Sequence, residues 1–216
     1  MQALVFDLDD TLYTLSRHRD YHLRRAWRPW LITLPAQMQE SVIASAVSQR
    51  IFFRDMAEFL QSYQLPEDLN QHLCQRSRDT WFGDLTFDDG VASLLDTLKL
   101  RYRLALITNG PSWTQRAKID QLDLQRWFTY MVVSGEFGVE KPDPAIFGHV
   151  LSLLNVDAMD AVMIGDNPDA DIRGAHAIGM RAIWIEHAHL PYPDDLLPAW
   201  RRVTHVTQIA HILEVE

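Results

Sequence analysis

Short apolar runs that stop abruptly at polar residues recur along this chain. Ala3–Phe6 ends at an acid, Arg103–Ile107 at Thr108-Asn109-Gly110, Tyr130–Val133 at Ser134-Gly135, and Ala161–Ile164 at Gly165-Asp166. Arg181–Ile185 is a fifth run of the same kind. Runs this short, bounded by turn residues, read as strands buried on both faces. The intervening stretches 89–100, 112–124, 144–154 and 171–178 read as helices. Strands alternating with helices predict an α/β fold with a doubly wound parallel sheet, a Rossmann-like core.

The stretch from about 16 to 86 breaks this alternation. It has no strand-like run, and Ile51, Phe52, Met56, Phe59 and Leu60 recur at helical spacing. Pro29, Pro35 and Pro66 punctuate it, which suggests three or four helices. The expected organisation is an α/β core from 1–15 and 87–216, with an inserted α-helical domain at 16–86.

Composition narrows the class. With 216 residues, 47% apolar and 23% charged, the chain suits one soluble domain carrying an insertion. The formal charge is −9, and it is unevenly spread. Residues 12–86 hold nine basic and eight acidic side chains, so the excess negative charge lies in the rest. An acidic chain is a poor binder of nucleic acid polymers. No apolar run approaches the ~20 residues that span a bilayer, which argues against a membrane partner. A single cysteine, Cys74, permits no internal disulfide, and the start lacks the basic, apolar pattern of a signal peptide. The expected location is cytoplasmic.

The strand ends carry the chemistry. Asp7 and Asp9 lie two apart after the first run, so in an extended chain they project the same way. Together with Asp10 they make three carboxylates in four residues, tolerable only in water or around a cation. A second strand ends in the hydroxyl of Thr108 and the amide of Asn109. Lys141 lies just before a helix that Pro142 or Pro144 could start, and a further strand runs into Asp166, Asn167, Asp169 and Asp171. Ligands of open α/β sheets bind beyond the carboxyl ends of the strands, so these groups converge on one crevice. Hard oxygen ligands suit Mg2+, and a lysine with neutral donors suits phosphoryl oxygens.

In this order and context, Asp7–Thr11, Thr108, Lys141 and Asp166 with Asp171 resemble the four motifs of the haloacid dehalogenase superfamily, with the helical cap inserted after the first. The resemblance implies a phosphatase acting on a small phosphorylated metabolite with Mg2+ as cofactor. Asp7 would be the nucleophile that forms an aspartyl-phosphate. Asp9 would protonate the leaving oxygen and then activate water. Mg2+ would be held by the Asp7 carboxylate, the Asp9 carbonyl and Asp166, with Asp171 acting nearby through water. Thr108, the Asn109 amide and Lys141 would bind phosphate, and Lys141 would also orient Asp7. An acid at Asp9 separates phosphate chemistry from dehalogenation, which has no leaving oxygen to protonate. A sugar phosphomutase would keep both aspartates, and a receiver-like phospho-accepting module uses related groups without a cap.

Neighbouring residues read more plainly. Asp10 is a solvated neighbour, Thr11 caps the turn or supports Asp7, and Asp143 and Asp169 are turn or N-cap residues. His187 and His189 have no third partner at zinc-ligand spacing. Arg17 to Arg28 contains five arginines against Asp20. Helical spacing would put Arg17, Arg24 and Arg28 near one face, apart from Arg25, where they could meet a second anionic group of a substrate or form a solvated surface.

Overall fold

The computed structural model describes residues 1–214. The chain divides into two compact units, Met1–Thr14 with Phe87–Glu216, and Leu15–Thr86. Among the described residues, the first unit holds six strands: β1 (Ala3–Phe6), β2 (Arg103–Thr108), β3 (Tyr130–Val133), β4 (Ala161–Gly165), β5 (Arg181–Ile185) and β6 (Arg201–Val203). They form one sheet in the order β3-β2-β1-β4-β5-β6, and every pairing is parallel. The α/β, doubly wound parallel sheet expected from the apolar runs is therefore present.

Strand burial explains why the runs are so uniformly apolar. β1 and β4 are buried along their whole length. Val5, Ile107 and Met163 pack against Phe147 and Val150 of the helix Pro144–Leu154. Residues of the other parity, among them Leu4, Leu106 and Ile164, are also fully buried. Asp143 caps that helix by accepting from the Ala145 amide at 2.8 Å, the capping expected of it.

Register then places the chemistry. Phe6 aligns with Leu106 on one side and Ile164 on the other. The Asp7 amide donates to the Ile164 carbonyl at 2.9 Å. The next residues of all three central strands therefore emerge together at their carboxyl ends. β1 is also the point where strand order reverses, the usual position of a ligand crevice in such sheets.

The sixth strand is not foreseen from the sequence, because Arg201-Arg202-Val203 at the sheet edge lacks an apolar run. The fourth motif also differs from the uniform helix expected at 171–178. A π-helical turn, Pro168–Ile172, precedes a short helix, Arg173–Ala177. Asn167 rather than Asp169 caps the turn, accepting from the Ala170 amide at 3.0 Å.

The second unit is wholly helical among the described residues: Leu15–Ala26, Arg28–Leu31, Ala36–Ser48, Met56–Gln61 and Glu67–Thr80, followed by a short 3-10 turn. That is five helices rather than three or four. Pro29 opens a one-turn helix of its own, and Pro35 and Pro66 sit at N-cap positions. Further breaks occur near Arg50 and Gln64, which adopt left-handed backbone without glycine. Trp27 stacks on Phe59 at 5.7 Å in a core with Ile43, Met56 and Leu73, and its indole donates to Ser77 Oγ.

The two ends of the first unit's gap are tied to each other. Thr14 Oγ1 donates to Asp88 Oδ2 at 2.5 Å, and the Asp88 amide donates to the Leu12 carbonyl. No described helix is long and apolar enough to cross a membrane.

Candidate active site

Asp7 leaves the end of β1 and is buried. Lys141 Nζ donates to its Oδ1 at 2.5 Å, to Asp171 Oδ1 at 2.7 Å and to the Ile107 carbonyl at 2.9 Å. All three ammonium donors are used, and the side chain is only 2% exposed. Burial acts against the charge on Lys141, but Asp171 and Asp7 outweigh it and hold its pKa above the ordinary lysine value. The loop that delivers Lys141 is pinned by Asn109, whose amide oxygen accepts from the Lys141 N–H while its nitrogen donates to the Lys141 carbonyl, each at 2.9 Å. Asn109 was expected to contribute a backbone amide to phosphate. Its side chain has this additional task.

Asp166 follows β4, and its carbonyl accepts from the Trp184 indole at 2.8 Å. The second oxygen of Asp171 accepts from the Asn167 amide at 3.0 Å. Asp7, Asp166 and Asp171 each offer an oxygen, and these lie within 4.8 Å of one another. Burial pushes Asp7 up, and the charges of Asp171 and Asp9 add to this against the pull of Lys141. Burial likewise pushes Asp166 up, with Asp7 and Asp171 as its crowding charges. Lys141 brings one positive charge to three carboxylates. An all-oxygen donor set short of positive charge fits a small hard divalent cation. Both Asp171 oxygens already accept hydrogen bonds, so Asp7 and Asp166 are the better-placed direct ligands.

Gly165 makes this packing possible. A Cβ there would lie 2.2 Å from Asp171 Oδ2, so the strand end must be glycine for that carboxylate to sit against it.

Asp9 has different company. Lys118 Nζ donates to both of its oxygens, at 2.7 and 2.8 Å. The Tyr13 hydroxyl donates to Oδ1, and Gln115 Nε2 donates to Oδ2 at 3.1 Å. Burial alone would raise the pKa of Asp9, but Lys118 and these hydrogen bonds carry it below the usual carboxylate range. Gln115 Nε2 also donates to the buried hydroxyl of Thr108. Gln115 and Lys118, both on the helix Ser112–Gln121, were not anticipated from the sequence. Their spacing of three on a helix that starts just beyond Thr108-Asn109-Gly110 was the available signal.

The remaining residues sort themselves out. Asp10 is half-buried in left-handed backbone, and its carbonyl contacts a His187 ring nitrogen at 2.7 Å. Thr11 Oγ1 is buried with no hydrogen-bond partner among the described residues, so it does not cap the turn. Asp169 pairs with Arg173. In the helical unit, Arg17, Arg24 and Arg25 line one cavity of about 680 Å³, and Arg28 does not. The expected face fails because the helix ends at Ala26, and Arg28 begins the next one. Arg24 already holds Asp20 and Glu40, and Arg25 holds Asp84.

The model of the haloacid dehalogenase-like hydrolases matches residues 1–179. The chain belongs to this family. It is thus an enzyme of the hydrolase class. Among curated proteins it resembles a glyceraldehyde 3-phosphate phosphatase from Methanopyrus kandleri, 29% identical over 220 residues, covering 92% of this chain and 91% of that one. It also resembles the pyrimidine 5'-nucleotidase YjjG of Escherichia coli, 27% identical over 213 residues and 91% of each chain. In fold it is similar to the HAD-hydrolase YfnB of Bacillus subtilis bound to magnesium, with a TM-score of 0.73, 24% identity and 98% of each chain covered.

Proposed function

We propose that this family member is a Mg2+-dependent phosphatase that hydrolyses a small-molecule phosphate monoester through an aspartyl-phosphate on Asp7. It is a phosphoric monoester hydrolase, and the full-length relatives named for glyceraldehyde 3-phosphate and pyrimidine nucleotides support a small phosphorylated metabolite as substrate. The observation that carries the reading is the buried Lys141–Asp7 contact at 2.5 Å beside Asp166 and Asp171. It leaves a carboxylate oriented at a strand end, next to a donor set suited to Mg2+.

Asp7 attacks phosphorus, an Asp7 oxygen–phosphorus bond forms, and the ester oxygen–phosphorus bond breaks. Asp9, which takes up a proton from solvent in the substrate complex, gives that proton to the departing oxygen. The substrate's own negative charge beside Asp9 raises its pKa, which favours the protonated form at that moment. Water then attacks the aspartyl-phosphate, Asp9 takes its proton, and inorganic phosphate leaves with Asp7 restored. Thr108 and the Asn109 amide bind the phosphoryl oxygens; Lys141, with its three N–H groups already taken by Asp7, Asp171 and the Ile107 carbonyl, orients Asp7 and acts on the phosphoryl group through its charge alone. Mg2+, held by Asp7, Asp166 and the Asp9 carbonyl with Asp171 behind them, would neutralise phosphoryl charge as it develops. The helical insertion is read as the cap of such enzymes.

Incubation with MgCl2 and a panel of metabolite phosphates, followed by phosphate release, tests the reading. Turnover that is abolished by chelation and restored by MgCl2 is expected. A single stoichiometric phosphorylation without turnover would point to a phospho-accepting module. Isomerisation of a sugar phosphate without phosphate release would point to a mutase.

A further inference from the structure

We propose that Lys118 and Gln115 are positioning residues that aim the Asp9 carboxyl at the leaving oxygen. This rests on the reading of Asp9 as the group that protonates that oxygen. Each Asp9 oxygen receives two donors: Lys118 and Tyr13 at Oδ1, Lys118 and Gln115 at Oδ2. A side chain on a loop after a strand has several rotamers open to it, and general acid catalysis needs one. Four hydrogen bonds from three side chains, arriving from two directions, select that rotamer. Tyr13 approaches from Asp9's own loop, whereas Lys118 and Gln115 approach from the helix after β2.

The two helix residues have no cheaper explanation. Gln115 is 2% exposed and the Lys118 side chain 12%, so neither is a solvated surface group. Burying an amide and an ammonium costs free energy unless they are well bonded. Here the carboxylate they bond is Asp9. Gln115 further donates to Thr108 Oγ1, so one amide group spaces the phosphate-binding hydroxyl from the proton-transferring carboxyl. The helix Ser112–Gln121 thereby fixes Asp9 relative to Thr108, that is, relative to the phosphorus it must serve.

The test uses the Mg2+-loaded enzyme and a series of para-substituted phenyl phosphates whose phenols differ in acidity. An acidic phenol departs with little help, and a poorly acidic one needs the proton. Lys118→Met should lower kcat/KM for the least acidic phenol roughly 10-fold to 100-fold more than for the most acidic, steepening the leaving-group dependence. Gln115→Leu should steepen it less, and Lys118→Arg should restore most of the parental slope. Asp9→Asn serves as the reference and should steepen it most.

If Asp9→Asn steepens the dependence but Lys118→Met and Gln115→Leu lower all esters equally, positioning is overturned and the reading of Asp9 survives. If Asp9→Asn itself leaves the slope unchanged, the assignment of Asp9 fails and this inference fails with it. Should Lys118→Met not fold by circular dichroism, the slopes of Gln115→Leu and Lys118→Arg decide in its place.

Discussion

Two carboxylates two residues apart on one strand end have opposite surroundings. Asp7 stands among Asp166 and Asp171 with one lysine, and burial with like charge raises its pKa. Asp9 stands among Lys118, Gln115 and Tyr13, which together lower its own. The same side chain thus acquires two characters from its neighbours alone. One region has one positive charge for three carboxylates and invites a cation, whereas the other is filled with donors and holds a single carboxyl in place. Without cation or substrate the order runs against the proposed roles, because the nucleophile must be ionised and the acid protonated; a cation beside Asp7 and a phosphoryl group beside Asp9 would reverse it.

The most severe break in this contrast is Asp7→Asn. The amide keeps the shape but cannot attack phosphorus, so kcat should fall at least ~10^3-fold while circular dichroism stays unchanged. Activity within about tenfold of the parent would mean Asp7 is not the nucleophile.

Gly165→Ala acts on the Asp7 side only. The new Cβ would lie 2.2 Å from Asp171 Oδ2, so Asp171 must shift and loosen its hold on Lys141. A loss of about 1–3 kcal/mol in denaturant unfolding is expected, with lower turnover. The leaving-group dependence should not change, because Asp9 and Lys118 are untouched. A steeper dependence would show that the two regions are coupled.

Mg2+ sharpens the comparison through pH. Asp7 and Asp166 have raised pKa values, so the folded chain holds protons that the unfolded chain has released above about pH 4. Their contribution to stability without metal therefore falls as pH rises. Mg2+ bound by these carboxylates would compete with those protons, so its stabilisation should grow with pH, reaching about 2–3 kcal/mol at a hundredfold excess over Kd. Thermal melts with and without MgCl2 at a lower and a higher pH would check this. A Mg2+ effect larger at the lower pH would contradict the crowding of Asp7 and Asp166.

The smallest effect expected is from Trp184→Phe. It removes the indole donor to the Asp166 carbonyl, one buried hydrogen bond worth about 1 kcal/mol. A slightly weaker Mg2+ response with an unchanged leaving-group slope is the expected signature.

Legibility in the sequence followed the same division. The strand-end residues could be read because each closes an apolar run: Asp7 after Phe6, Thr108 after Ile107, Asp166 after Gly165. Lys141 could be read from its place before Pro142 and a helix. The donors to Asp9 could not, because Gln115 and Lys118 sit inside a helix whose inward face is set by tertiary packing. Gly165 reads as turn punctuation in the sequence, whereas in the structure the Asp171 carboxylate rests against it. β6 stayed hidden because an edge strand with two arginines has no buried-strand pattern. Two helix breaks carry no mark in the sequence, because Arg50 and Gln64 take left-handed backbone where glycine would have marked the turn.

The Thr14–Asp88 clasp has a consequence for how the chain reaches its fold. β1 must find β2 across the whole insertion, since Ala3 aligns with Arg103. Closing so long a loop is slow, because its entropy must be surrendered before any strand contact forms. The helical stretch, rich in local contacts, can order first and bring its two ends together. Its residues then drop out of the loop that remains, which becomes several times shorter and about 1 kcal/mol less costly to close. If it orders first, a stretch that interrupts the sheet in sequence would act, during folding, as the splint that lets its first strand pair.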